Sequence, residues 1–187
     1  MNLAKAAALG DTAATTHLLR KLAPEMARVV RGVMGPYTAD SDDATQQALV
    51  ALIHALPAFR GECAPAGYAC RIAFRTALAV RKNVQRRGRL ADRSVDTDTF
   101  PSGESPSARG DAARRMQLLR TLLEELPAEQ AEALCLRTVL GWSLEEIAHA
   151  SGAPLNTVRS RLRLAKEALR AKIHADPSLA SELGVES

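Results

Sequence analysis

Apolar side chains recur along this chain at spacings of three and four, and sustained alternation at a spacing of two is missing, so the pattern predicts helices. Leu18, Leu19, Leu22, Met26, Val29, Val30 and Val33 predict a helix or helix pair over 11–34, with Pro24 marking a break or second start and Gly35-Pro36 ending it. Ser41 is placed to cap a helix opening at Asp42-Asp43, whose carboxylates favour a helix N-terminus. In that helix Ala44, Ala48, Leu49, Leu52, Ile53 and Leu56 predict a buried stripe, while Asp43, Gln46, Gln47 and Val50 share the outward face. Pro57 interrupts it. A third stretch, 67–85, carries Ala69, Ala73, Ala77, Val80 and Val84 on one side. At about 100° per residue, Arg71, Arg75, Lys82 and Arg86 fall within about 60° of one another on the other side. Small alanines there allow close helix packing and leave a basic ridge toward solvent.

Residues 91–110 change character. Ser, Asp, Thr, Pro and Gly dominate, and Val95 and Phe100 alone are sizeable apolar residues, too few to offset the entropy of ordering the segment. Helical periodicity resumes with Leu118, Leu119, Leu122, Leu123 and Leu126. Pro127 suits the first turn of a helix carrying Ala131, Leu134, Cys135 and Val139, which stops near Gly141. Ser143-Leu144-Glu145-Glu146 reads as a capping box opening a short helix. Ser151-Gly152-Ala153 then makes a tight turn, and Pro154-Leu155-Asn156-Thr157 opens a second helix. This is helix-turn-helix spacing: Ala148 is small enough for the helices to cross, and Gly152 permits positive φ. Leu155, Val158, Leu162 and Leu169 face inward. Asn156, Arg159, Ser160 and Arg163 project outward, a set able to contact phosphates and base edges in a major groove. The chain therefore reads as all-α: helical domains over 10–90 and 112–173, a flexible polar linker over 91–111, and a short tail over 174–187.

Composition narrows the classes. Of 187 residues, 47% are hydrophobic but only 3% aromatic, which supports a helical core and not a β-sandwich or barrel. No run of eighteen apolar residues predicts a membrane span, and nothing at the N-terminus suggests export. Cys63, Cys70 and Cys135 are odd in number and lack CxxC spacing, so reduced thiols in a cytoplasmic protein fit better than disulfides or zinc. There is no Gly-rich phosphate loop, paired-acid constellation or Ser/His/Asp set, and no catalytic residue, cofactor or metal is expected. The net charge of +4 is unevenly placed: residues 60–90 hold eight bases against one acid, residues 155–172 six against one, and the remainder is acidic. Two separated basic blocks are the electrostatic footprint of a polyanion gripped at two places.

The block from Asp42-Asp43-Ala44-Thr45-Gln46-Gln47 through Phe59-Arg60-Gly61-Glu62 to Arg71-Ile72-Ala73 resembles region 2 of bacterial sigma factors of the extracytoplasmic-function (ECF) group. Leu126-Pro127-Ala128-Glu129-Gln130, Glu145-Glu146-Ile147-Ala148 and Thr157-Val158-Arg159-Ser160-Arg161-Leu162 resemble region 4 of the same group. The resemblance implies a non-enzymatic subunit that binds core RNA polymerase and directs it to promoter DNA. By it, Asp42, Asp43, Gln46 and Gln47 align with the surface that meets the polymerase clamp helices, and Arg71, Arg75, Lys82 and Arg86 with the segment engaging the −10 element. Asn156, Thr157, Arg159, Ser160 and Arg163 align with the face that reads the −35 element as duplex. Family members are commonly held by an anti-sigma partner wedged between or around the two domains, which a tether permits here. The chain departs from the family pattern at Ala44, Thr45, Leu49 and Ile53, at Pro65 and Tyr68 where Phe and Trp are frequent, and at Arg75 in place of Asn. Only Tyr68 and Phe74 are near enough to stack on an unpaired base. The alternative is a one-component helix-turn-helix regulator in which residues 10–90 sense a signal or dimerise, without polymerase.

Overall fold

A computed structural model describes residues 3–35, 39–92 and 108–183, with side chains placed outside 88–92 and 108–113. All regular structure among them is helical: α1 (Leu3–Ala8), α2 (Thr12–Met34), α3 (Ala39–Ala55), α4 (Pro65–Asp92), α5 (Ala108–Glu124), α6 (Ala128–Val139), α7 (Leu144–Ser151), α8 (Leu155–Ala175) and α9 (Pro177–Leu183). A single 3-10 turn, Leu56–Ala58, follows α3 where Pro57 interrupts it.

In the N-terminal half α2, α3 and α4 pack on one another, and α1 lies against α2 and the 3-10 turn. Asp11 caps α2, its carboxylate accepting from the Ala14 N–H at 2.9 Å. Pro24 does not break this helix, contrary to the expectation. It sits on the exposed side of the helix, where the loss of one backbone hydrogen bond is least costly. The α2 stripe Leu18, Leu22, Met26, Val29 and Val30 is buried against Ala44, Ala48 and Leu52 of α3 and Ala69, Cys70, Ala73, Phe74 and Ala77 of α4. Each large side chain buried here contributes roughly 1.5–3 kcal/mol, and the α4 alanines let the backbones approach.

Three details of α3 and α4 differ from the expectation. The α3 helix begins at Ala39, so Ser41 lies inside its first turn and is buried, and it does not serve as the cap. Leu49 is half-buried and Ile53 is 43% exposed, because α3 is covered along a narrower stripe than its apolar pattern offers. The α4 helix runs from Pro65 to Asp92 and α5 starts at Ala108, so both ends of the expected linker are helical and its centre, 93–107, lies outside the described residues. Beyond the expected C-terminal domain, α8 reaches Ala175 and α9 follows it.

In the C-terminal half α6, α7 and α8 pack together, with α9 against α8 and α5. The two halves are not held apart. The α6 helix packs on α2 and α4, α7 packs on α4, and the buried apolar residues of both halves form one cluster.

Candidate nucleic-acid interface

The helix-turn-helix forms as its residues dictate. The Ser143 Oγ accepts from the Glu146 N–H at 3.1 Å, and the Glu146 carboxylate accepts from the Ser143 N–H at 2.7 Å, closing the capping box. Trp142 precedes it and packs, like Ile147, into the core cluster, as a hydrophobic staple does. Gly152 ends α7 at φ 62°, ψ 25°, the left-handed conformation that admits glycine without strain. Val158 and Leu162 of α8 are buried, while Leu155 and Leu169 are half-buried. Asn156, Arg159, Ser160 and Arg163 are exposed along one face of α8, and Thr157 is half-buried beside them. Arg159 Nη1 donates to Asn156 Oδ1 at 3.0 Å, and Arg163 donates to both carboxylate oxygens of Glu167 at 2.8 and 2.9 Å. The guanidinium groups are thereby oriented along the face without being buried.

The backbone and side-chain hydrogen bonds from Ser143 hold the Glu146 carboxyl below its ordinary range, with Arg137 adding to the shift. A lowered carboxylate stabilises the fold above its ordinary range, and that contribution is lost as pH falls through the lowered value. Ser143→Ala is expected to destabilise the domain by about 1 kcal/mol and to diminish this acid-range loss. Urea unfolding at neutral pH and in acid measures both.

The basic ridge of α4 is divided. Lys82 and Arg86 are exposed, as expected for contacts to a nucleic-acid strand. Arg71 instead is half-buried and faces Glu132 of α6, its Nε 3.0 Å from Oε1, while Arg75 is exposed as expected with its Nε 4.0 Å from Glu132 Oε2. Arg71 also donates to the Ser151 carbonyl at 3.2 Å, at the C-terminal end of α7 where the helix dipole is negative. The expectation that all four face solvent therefore fails at Arg71. Burial pushes the Glu132 carboxyl up, and the charges of Arg71, Arg75 and Arg161 pull it part of the way back. Arg81, outside the expected ridge, is buried and pairs with Glu124 of α5, which also accepts from Gln85 at 3.0 Å. Sequence periodicity missed Glu124, Glu132 and Arg81 because the partners named here lie 39 or more residues away.

On α3, Asp42, Asp43, Gln46 and Gln47 are all exposed on one face, and Val50 continues that face at 51% exposure. Neither candidate for base stacking is free. Phe74 is buried, and Tyr68 packs on Phe59 with ring centroids 5.0 Å apart while its hydroxyl donates to the Ala55 carbonyl at 3.1 Å. Cys70 and Cys135 are buried free thiols whose pKa burial raises to about 12, and Cys63 is half-buried and raised. Among the described residues no group of three or more His, Cys, Asp or Glu side chains could hold a metal ion, and no helix is long and apolar enough to cross a membrane.

Comparisons with known proteins follow the same division. The family model for Sigma-70 region 2 matches residues 18–87, and that for Sigma-70, region 4 matches residues 116–169. The ECF RNA polymerase sigma factor SigD of Mycobacterium tuberculosis (strain H37Rv) is 32% identical over 180 residues, spanning 90% of this chain and 81% of the relative. The ECF RNA polymerase sigma-E factor of Escherichia coli K12 is 32% identical over 143 residues, spanning 73% of this chain and 75% of the relative. Among solved structures, CnrH in complex with the cytosolic domain of CnrY superposes with a TM-score of 0.55 at 24% identity, covering 93% of this chain and 96% of that one.

Proposed function

The chain belongs to the sigma-70 family as a sigma factor of the ECF group, and on that premise we propose how its surfaces divide the work of directing RNA polymerase to promoters. The region 4-like unit, 112–173, reads the −35 element as duplex through Asn156, Thr157, Arg159, Ser160 and Arg163. Carriage of these residues on one exposed face of a capped, glycine-turned helix-turn-helix is the observation that supports this assignment. The region 2-like unit, 10–90, engages the −10 element through Arg71, Arg75, Lys82 and Arg86. Because Phe74 and Tyr68 are held in the protein's own packing, this grip relies on backbone charge more than on base stacking.

The polymerase contact is assigned to Asp42, Asp43, Gln46 and Gln47, extended by the exposed apolar side chains Val50 and Ile53 further along α3. A polar end and an apolar end on one helix face suit a coiled-coil partner, which offers charged flanks beside an apolar seam. The protein acts in the cytoplasm with the polymerase, and an anti-sigma protein is the class of partner expected to restrain it. The one-component regulator reading loses its basis, because residues 18–87 match region 2 rather than a sensing domain.

Purified chain added to core polymerase is expected to produce specific run-off transcripts, and no transcript at any promoter of the native host would refute the reading. Charge reversal at Asp42 and Asp43, combined with Gln46→Ala and Gln47→Ala, is expected to lower core affinity at least tenfold. Helix content should remain unchanged, since all four side chains are exposed. Unaltered core binding would remove the contact from this face.

A further inference from the structure

We propose that the cleft between α5, α6 and α8 is a binding site for a small amphipathic carboxylate of the medium-chain fatty acid class, whose hydrocarbon chain fills the cleft and whose head group pairs with Arg120. None of the residues lining the cleft belongs to the promoter or polymerase surfaces assigned above. The inference therefore stands or falls independently of that assignment.

The cleft has a volume of about 480 Å³, within the roughly 300–1,000 Å³ of small-molecule sites. Its walls are Met116, Leu119 and Leu123 of α5, Leu134 and Val139 of α6 and Leu169 of α8, and Gly32 of α2 completes the lining. Met116 is 48% exposed, and its flexible thioether chain can rearrange around an apolar guest. Two polar side chains join these walls, and they differ in what they still require. The Thr138 hydroxyl donates to the Leu134 carbonyl at 2.8 Å and is already satisfied. Arg120 is not.

Arg120 donates its Nε to the Gly32 carbonyl at 3.1 Å, and no carboxylate among the described residues pairs with it. Beside it Arg81 is buried, with Glu124, one turn along α5 from Arg120, as its carboxylate partner. Arg81 Nη2 is buried with no hydrogen-bond partner. Two guanidinium groups thus stand against one carboxylate, and one positive charge is in excess where water is partly excluded. Burial, and after it the Arg81 charge, pushes the Arg120 guanidinium below its ordinary range. A second carboxylate offsets that cost, because it can accept two parallel N–H bonds from one guanidinium group. The bond to Gly32 fixes the plane of the Arg120 group and leaves its Nη atoms for such a head. The same charge disfavours a cation. The leucine walls disfavour a sugar or nucleotide, whose many polar groups would be buried unpaired. A plain hydrocarbon chain ending in a carboxylate meets both demands.

The test titrates decanoate into the full chain by calorimetry, with decanol lacking the charged head and acetate lacking the chain. Decanoate is expected to bind once per chain, at least about tenfold more tightly than either control. It should also raise the unfolding midpoint, as a ligand of the native state does. Arg120→Gln keeps an N–H donor for the Gly32 carbonyl but removes the charge. It should weaken decanoate at least about tenfold and leave decanol within about twofold. Leu119→Trp fills the cleft with the arginine intact and should weaken both, so either variant serves if the other fails to fold. Helix content and −35 duplex binding should stay unchanged in each. No decanoate binding, or binding no tighter than that of decanol or acetate, would overturn the proposal. Decanoate binding that survives both variants would place the ligand elsewhere and overturn it equally.

Discussion

Phe74→Ala is expected to destabilise the protein by about 3–5 kcal/mol, a large part of the ~5–15 kcal/mol that holds a folded chain of this kind together. Phe74 heads the fully buried side chains by volume and sits on α4, which packs on both α2 and α3. The alanines Ala69, Ala73 and Ala77 of the same helix are themselves fully buried. They have no side-chain length with which to collapse into the space vacated by a benzyl group, so the cavity persists and its cost adds to the lost transfer free energy. Urea denaturation at neutral pH measures the loss as a lowered midpoint with little change in slope. A loss below about 1 kcal/mol would mean that α4 is not packed as described. Because α4 also carries Arg71, Arg75, Lys82 and Arg86, weaker −10 binding should accompany the destabilisation.

The second large effect concerns α8. Arg159→Ala and Arg163→Ala are each expected to weaken −35 duplex binding by about 1–3 kcal/mol if the contact is bidentate to a base edge, roughly five- to 150-fold. Both side chains are exposed, so neither change touches the core. Their present partners differ: Arg159 is held by the neutral Asn156 amide and Arg163 by both oxygens of Glu167. Arg163 must surrender a charged partner to reach DNA and Arg159 a neutral one, so Arg159→Ala should produce the larger loss. Binding titrations on matched and scrambled −35 sequences separate two kinds of contact. A base-reading arginine loses affinity for the matched site alone, and a phosphate contact loses it on every sequence with a shallower salt dependence. Equal losses on all sequences would overturn base reading by this face.

Much of the helix-turn-helix was legible in the residues because its determinants are local. Ser143 and Glu146 satisfy each other's backbone across one turn, Gly152 supplies its own left-handed φ, and Val158 and Leu162 fall inward by helical period. The outward polar face of α3 was legible for the same reason. Errors arose where one helix could be read only with knowledge of its neighbour. Pro24 reads as a break unless its exposure is known, and Ser41 reads as a cap unless the helix is seen to start earlier. Ile53 reads as core because an apolar period says which side is apolar and not how much of that side a neighbour covers.

The same distinction separates the two levels of this protein. Periodicity, capping chemistry and charge distribution determined the helices, the exposed polar face of α8 and the two basic blocks, since each depends on residues within a few turns of one another. Only the tertiary structure decided that Arg71, Arg75 and Arg81 meet Glu132 and Glu124, and that Gly32 and Gly67 lie against Val139 and Ala150. Those contacts join residues tens of positions apart, and a charge or a missing Cβ carries no mark of its distant partner until two surfaces are brought together.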